Sequence, residues 1–147
     1  MSKKLTFRGK MAMGLQERLH LSTNDGLTGY KIKKFQIMSA APGTAEQELV
    51  GKIYTTDQST SISATVDFSD GDLIAAVISF SRQTALNTVT DQIIIDGEVV
   101  NQDLYVTIVD AEGATVECNF YVELEVVDLS LAESTFTTLK NIRAATQ

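Results

Sequence analysis

Apolar and polar residues alternate with little interruption from Val116 to Val126. Val116, Cys118, Phe120, Val122, Leu124 and Val126 share one face, and Glu117, Asn119, Tyr121, Glu123 and Glu125 share the other. A period of two is the mark of a strand packed on one side and wet on the other. Upstream, Leu104, Val106 and Ile108 alternate with Tyr105 and Thr107, and Asp110-Ala111-Glu112-Gly113 supplies a turn ending in glycine. The two runs together predict an antiparallel hairpin from Tyr105 to Val127.

The same pattern recurs along the chain. Tyr30 to Met38 reads as a strand whose phase slips at Lys33-Lys34, as a β-bulge would make it do. Leu49 to Thr55 reads as another, and Ile62, Ala64, Val66 and Phe68 alternate with polar residues as a third. Ser69-Asp70-Gly71-Asp72 turns into Leu73 to Phe80, which is apolar on both faces and predicts a central, doubly covered strand. Gln92 to Ile95, Asp96-Gly97 and Glu98 to Val100 predict a second, short hairpin. Turn signals stand at Ser22 to Gly26 and at Ala40-Ala41-Pro42-Gly43. Eight or nine short strands at regular spacing predict an all-β fold, an antiparallel, jelly-roll-like β-sandwich.

The two ends differ from this body. Ser130-Leu131-Ala132-Glu133 is a capping box, and Leu131, Thr135, Leu139 and Ile142, flanked by Phe136, repeat at helical spacing. A short C-terminal helix over 131–145 follows, with Lys140 and Arg143 in its last turns, where the dipole favours cations. Its threonines weaken it, so it needs a surface to pack on, either its own sandwich or a neighbouring subunit. Residues 1–14 hold Lys3, Lys4, Arg8 and Lys10, no acid, and few apolar anchors. They suit an edge strand or an extended arm, and the expectation is an arm, mobile alone and ordered on assembly. The single sandwich domain is then 15–147.

Length and composition agree with one ordinary globular domain: 147 residues, 44% hydrophobic and 21% charged. The longest apolar run, Leu73 to Phe80, is far short of a bilayer span, and no apolar stretch of signal-peptide type follows Met1-Ser2-Lys3-Lys4. Residues 1–52 carry a net charge of +5 and residues 53–147 a net of −12, within a total of −7. Such polarity either steers docking between copies or decorates solvated strands. The basic residues are not interleaved with exposed aromatics, so no nucleic-acid partner is expected.

Catalytic and metal chemistry find little to work with. His20 is the sole histidine and Cys118 the sole cysteine, on the apolar face of its strand. That leaves no disulfide, too few ligands for zinc, and no nucleophile–base–orienter set. Asp67, Asp70 and Asp72, or Asp91 and Asp96, supply carboxylates without the spacing of an EF-hand, and the chain has no tryptophan to stack on sugar rings. A calcium-dependent carbohydrate-binding module is kept as a minor alternative. No enzyme activity, catalytic residue, metal or cofactor is expected.

Several segments resemble a family of small structural proteins of tailed, often marine, bacteriophages. They are Gly29-Tyr30-Lys31-Ile32, Lys34-Phe35-Gln36-Ile37, Val50-Gly51-Lys52-Ile53-Tyr54, Val66-Asp67-Phe68-Ser69-Asp70, Asp96-Gly97-Glu98, Asn101-Gln102-Asp103-Leu104-Tyr105, Tyr121-Val122-Glu123-Leu124-Glu125 and Thr138-Leu139-Lys140-Asn141-Ile142-Arg143. The resemblance implies a virion component assembled in the host cytoplasm, a capsid decoration or cement protein binding the major capsid protein and neighbouring copies of itself as a homo-oligomer. A tail-tube or head–tail connector protein is the alternative. Partner-binding residues are then expected at Lys3, Lys4, Arg8 and Lys10, and on the helix at Leu139 and Arg143.

Overall fold

The computed structural model describes residues 3–23, 26–43, 46–81, 92–113 and 116–145, with the side chains of 81, 141 and 143–145 outside that description. The strands are β1 (Lys3–Met11), β2 (Leu15–Leu19), β3 (Thr28–Ser39), β4 (Gln47–Tyr54), β5 (Leu73–Ser81), β6 (Gln92–Ile95), β7 (Val99–Val100), β8 (Leu104–Asp110) and β9 (Cys118–Asp128). One helix, α1 (Leu131–Ala145), follows. The strands form two antiparallel sheets, one ordered β1-β9-β3-β7 and the other β2-β8-β4-β5-β6. The fold is therefore the expected all-β sandwich with a C-terminal helix.

The core lies where the apolar rows of the two sheets meet. Cys118, Phe120, Val122 and Leu124 of β9 and Ile32, Phe35 and Ile37 of β3 face Leu104, Val106 and Ile108 of β8 and Leu49, Ile53 and Val77 of β4 and β5. Phe35, Leu49, Ile53, Leu104, Val106, Ile108, Cys118, Val122 and Leu124 are wholly buried. Each buried Leu, Ile, Val or Phe contributes about 1.5–3 kcal/mol against exposure. Gly51 makes this packing possible: a Cβ there would come within 3.1 Å of Ile37, Phe35 and Val77 at once. The bulge in β3 is present, with the register against β9 shifting between Ile32 and Lys34. It restores Phe35 and Ile37 to the inner face after two consecutive lysines.

Four expectations need correction. β8 and β9 are not a hairpin, for β9 pairs with β1 and β3 while β8 pairs with β2 and β4. Ala111 N–H donates to Glu48 O (2.8 Å), so the chain leaves β8 still bonded to β4. It then crosses to the opposite sheet, where both apolar faces are buried against each other rather than side by side. β6 and β7 likewise lie in different sheets. The alternating run Ile62 to Phe68 forms no strand. Ile62, Ala64 and Val66 are half-buried, but the segment runs across the outer face of the β4 and β5 sheet, held there by Lys52 Nζ donating to Thr65 O (2.6 Å). This cover explains why Val50, Lys52 and Tyr54 are buried on the face away from the core. Finally, Lys3–Met11 is no free arm. It pairs residue by residue with β9, from Lys3↔Val126 to Met11↔Cys118, as the outer strand of its sheet. The backbone ladder and Phe7 and Met11, packed on the core, supply the anchoring that a count of apolar residues understates.

Candidate functional site

The C-terminal helix sits on the sandwich by its polar side. Its start is capped as predicted: Glu133 N–H donates to Ser130 Oγ (3.2 Å) and Ser130 Oγ–H to Glu133 Oε1 (2.8 Å). Below it Asn101, wholly buried, donates through Nδ2 to Gly26 O (3.1 Å) and Thr138 Oγ1 (2.6 Å). Ser134, also buried, donates through Oγ to the same Gly26 O (2.8 Å). Gly26 has φ +67, and a Cβ there would meet Ser134 Oγ at 3.1 Å, so a side chain would be strained and obstructed together. Lys140 forms an ion pair with Glu98 near β7. Buried polar groups bonded to one another leave little freedom of rotation, because any tilt would orphan a donor or acceptor.

Four apolar side chains of α1 remain exposed. Leu131 is 76% exposed, Phe136 69%, Leu139 58% and Ile142 49%. Phe136 and Leu139 point into solvent, Ile142 borders a small pocket with Arg18, Asp103 and Tyr105, and the seat of the helix is Ser134 and Thr138. Leu139 is thus exposed on α1. The side chain of Arg143 lies outside the described residues.

The four cations of β1 lie at the opposite edge of the four-stranded sheet from β7. Lys3, Lys4, Arg8 and Lys10 are all exposed. Lys4 pairs with Glu123 (3.2 Å), Lys10 reaches Glu117 at 4.0 Å, and across β9 Lys33 pairs with Glu125 (3.3 Å). The polarity between the two parts of the sequence is therefore partly neutralised within one sheet, where basic β1 and β3 flank acidic β9. Contact with Lys4 is the chief reason the Glu123 carboxyl lies below the usual glutamate range.

The groups weighed for chemistry are apart or engaged. His20 lies near Asp103 (Nδ1 to Oδ2, 3.8 Å), at the sandwich end where Leu19 pairs with Leu104. Cys118 is at the other end, paired with Met11, and its burial pushes the thiol up to about 11. A His20–Cys118 dyad is not assembled. Asp67 Oδ1 accepts from Ser69 N–H (2.9 Å) and Oγ–H (2.6 Å), Asp70 Oδ1 from Asp72 N–H (2.9 Å), and Asp72 Oδ2 from Thr56 Oγ–H (3.1 Å). These carboxylates are occupied in closing their own turns, and no group of three or more acids, His or Cys suited to a metal occurs among the described residues. Asp91 lies outside them.

One polar cluster escaped sequence reasoning. Asp103, 6% exposed, accepts from Leu21 N–H (2.7 Å), Ser22 N–H (2.9 Å) and Arg18 Nε–H (2.7 Å), and Arg18 lies 5.8 Å over the Tyr105 ring. Burial alone would raise this carboxyl, but the donors to it prevail and hold it below the usual range. The cluster pins the β2–β3 connection to β8. Nothing in the spacing of 18 and 103 announces it.

Comparison with protein-family models, with curated proteins and with solved structures finds no match to this chain.

Proposed function

We propose that this chain is a non-enzymatic structural protein of a virion, a capsid decoration protein that binds the major capsid protein and neighbouring copies of itself. The observation that carries the reading is the helix fastened by Ser134 and Thr138 with Leu131, Phe136 and Leu139 left exposed. Large apolar side chains clustered in water are an aggregation hazard for a free monomer and a docking surface for one that assembles. The resemblance of scattered segments to phage structural proteins supports the same reading, as does the use of carboxylates in turns and ion pairs. The test is mass spectrometry of purified particles produced from the genome that encodes the chain. Presence in hundreds of copies supports decoration, a connector-like copy number favours the tail or neck, and absence defeats both.

A further inference from the structure

The four-stranded sheet is incomplete on one side. β7 pairs only with Tyr30 and Lys31, so β3 from Ile32 to Ser39 has no ladder partner there among the described residues. Opposite this bare edge, β6 packs Ile95 against the core but leaves Ile93 43% exposed. Between them opens a cavity of about 760 Å³, bordered by Gln36, Ile37 and Met38 of β3, by Val77 and Ile93, and by Phe120. Its volume falls within the range of ordinary ligand sites, about 300–1,000 Å³.

Charge selects the occupant. Arg8 and Lys10 are the charged residues among those bordering the cavity, and the bulge sets exposed Lys33 and Lys34 on β3 beside it. A second copy offers basic β1 or basic β3 as its long edge, and like charges opposed across a ladder destabilise it.

We propose that the edge of β3 accepts an extended segment of another protein, alternating apolar and acidic residues, as an added strand. Its backbone takes up the donors and acceptors on the outer edge of β3 between Ile32 and Ser39, its apolar side chains enter the cavity over Ile37, Val77 and Ile93, and its carboxylates meet Lys34 on β3. This reading does not depend on the chain being a virion protein.

The probe is a fluorescently labelled ten-residue peptide of alternating valine and glutamate, followed by anisotropy against the full chain. It is expected to bind at least ten-fold more tightly than its valine–lysine counterpart, and more weakly as salt rises. Placing one proline at its centre should remove most of the binding, since proline cannot donate to a ladder. Ile93→Glu, at an already exposed position, should weaken binding at least ten-fold with the melting temperature unchanged. Equal binding of the two peptides, indifference to the proline, or full binding by Ile93→Glu would each overturn the proposal. So would self-association of the unliganded chain that Ile93→Glu abolishes, because the edge would then belong to a second copy.

Discussion

β9 and α1 are both amphipathic, and they treat their apolar faces in opposite ways. β9 turns Cys118, Phe120, Val122 and Leu124 inward, where all are buried, and pairs Glu123 and Glu125 with lysines outside. α1 turns Ser134 and Thr138 inward and leaves Phe136 and Leu139 in water. The periodicity of a segment says which face is apolar. It does not say where that face goes. For β9 the answer comes from two flanking strands that leave only the core available to it. For α1 it comes from one buried asparagine and one glycine carbonyl, which fix the helix by directional bonds.

Substitutions can break this contrast from either side. Phe35→Ala, in the core against β9, should cost about 3–5 kcal/mol in denaturant unfolding. Asn101→Ala removes the donor to Thr138 Oγ1 and one of the two side-chain donors to Gly26 O, and should cost about 1–3 kcal/mol. Its mark is local: amide exchange quickens in α1 while β9 stays protected. Asp103→Asn tests a third kind of anchor, with a loss on the order of 1 kcal/mol near neutral pH. The Asp103 carboxyl ionises more readily folded than unfolded, so its contribution is full above its ordinary value, about 3.9, and is lost as pH falls through the folded value. A melting-temperature profile from pH 7 to pH 2 should therefore fall less steeply at its acid end in the variant. Phe136→Ser should change stability by less than about 0.5 kcal/mol, as for a surface position. Where it acts is association, and light scattering at rising concentration should show smaller species than the parent chain forms. A loss of stability like that of Phe35→Ala would mean that Phe136 is core after all.

Much of the fold was legible because it is written locally. The phase slip at Lys33-Lys34 is the bulge, Ser130 and Glu133 are the cap, and the apolar run from Leu73 is a strand covered on both faces. What failed was partner choice. A turn between two alternating runs looks the same whether the runs pair or face each other across a core, and Asp110 to Gly113 does the latter. Ile62 to Phe68 failed for a related reason, since its alternation records half-burial against a sheet without a ladder. The seat of α1 was illegible because its signal, Asn101 with Gly26 and Ser134, joins positions far apart in the chain by single hydrogen bonds.

The position of β9 also bears on how the chain is made. Among the described strands it is synthesised after all the others, and it lies between β1 and β3, which come before most of them. Until it arrives, neither of those strands has its main partner in the four-stranded sheet. Their apolar faces must wait, guarded by lysines, while β4, β5 and β8 can already pair. Such late, distant pairing slows folding and lengthens the time that strand edges stand open. Over that interval the like charges of β1 and β3 disfavour pairing of one open edge with another.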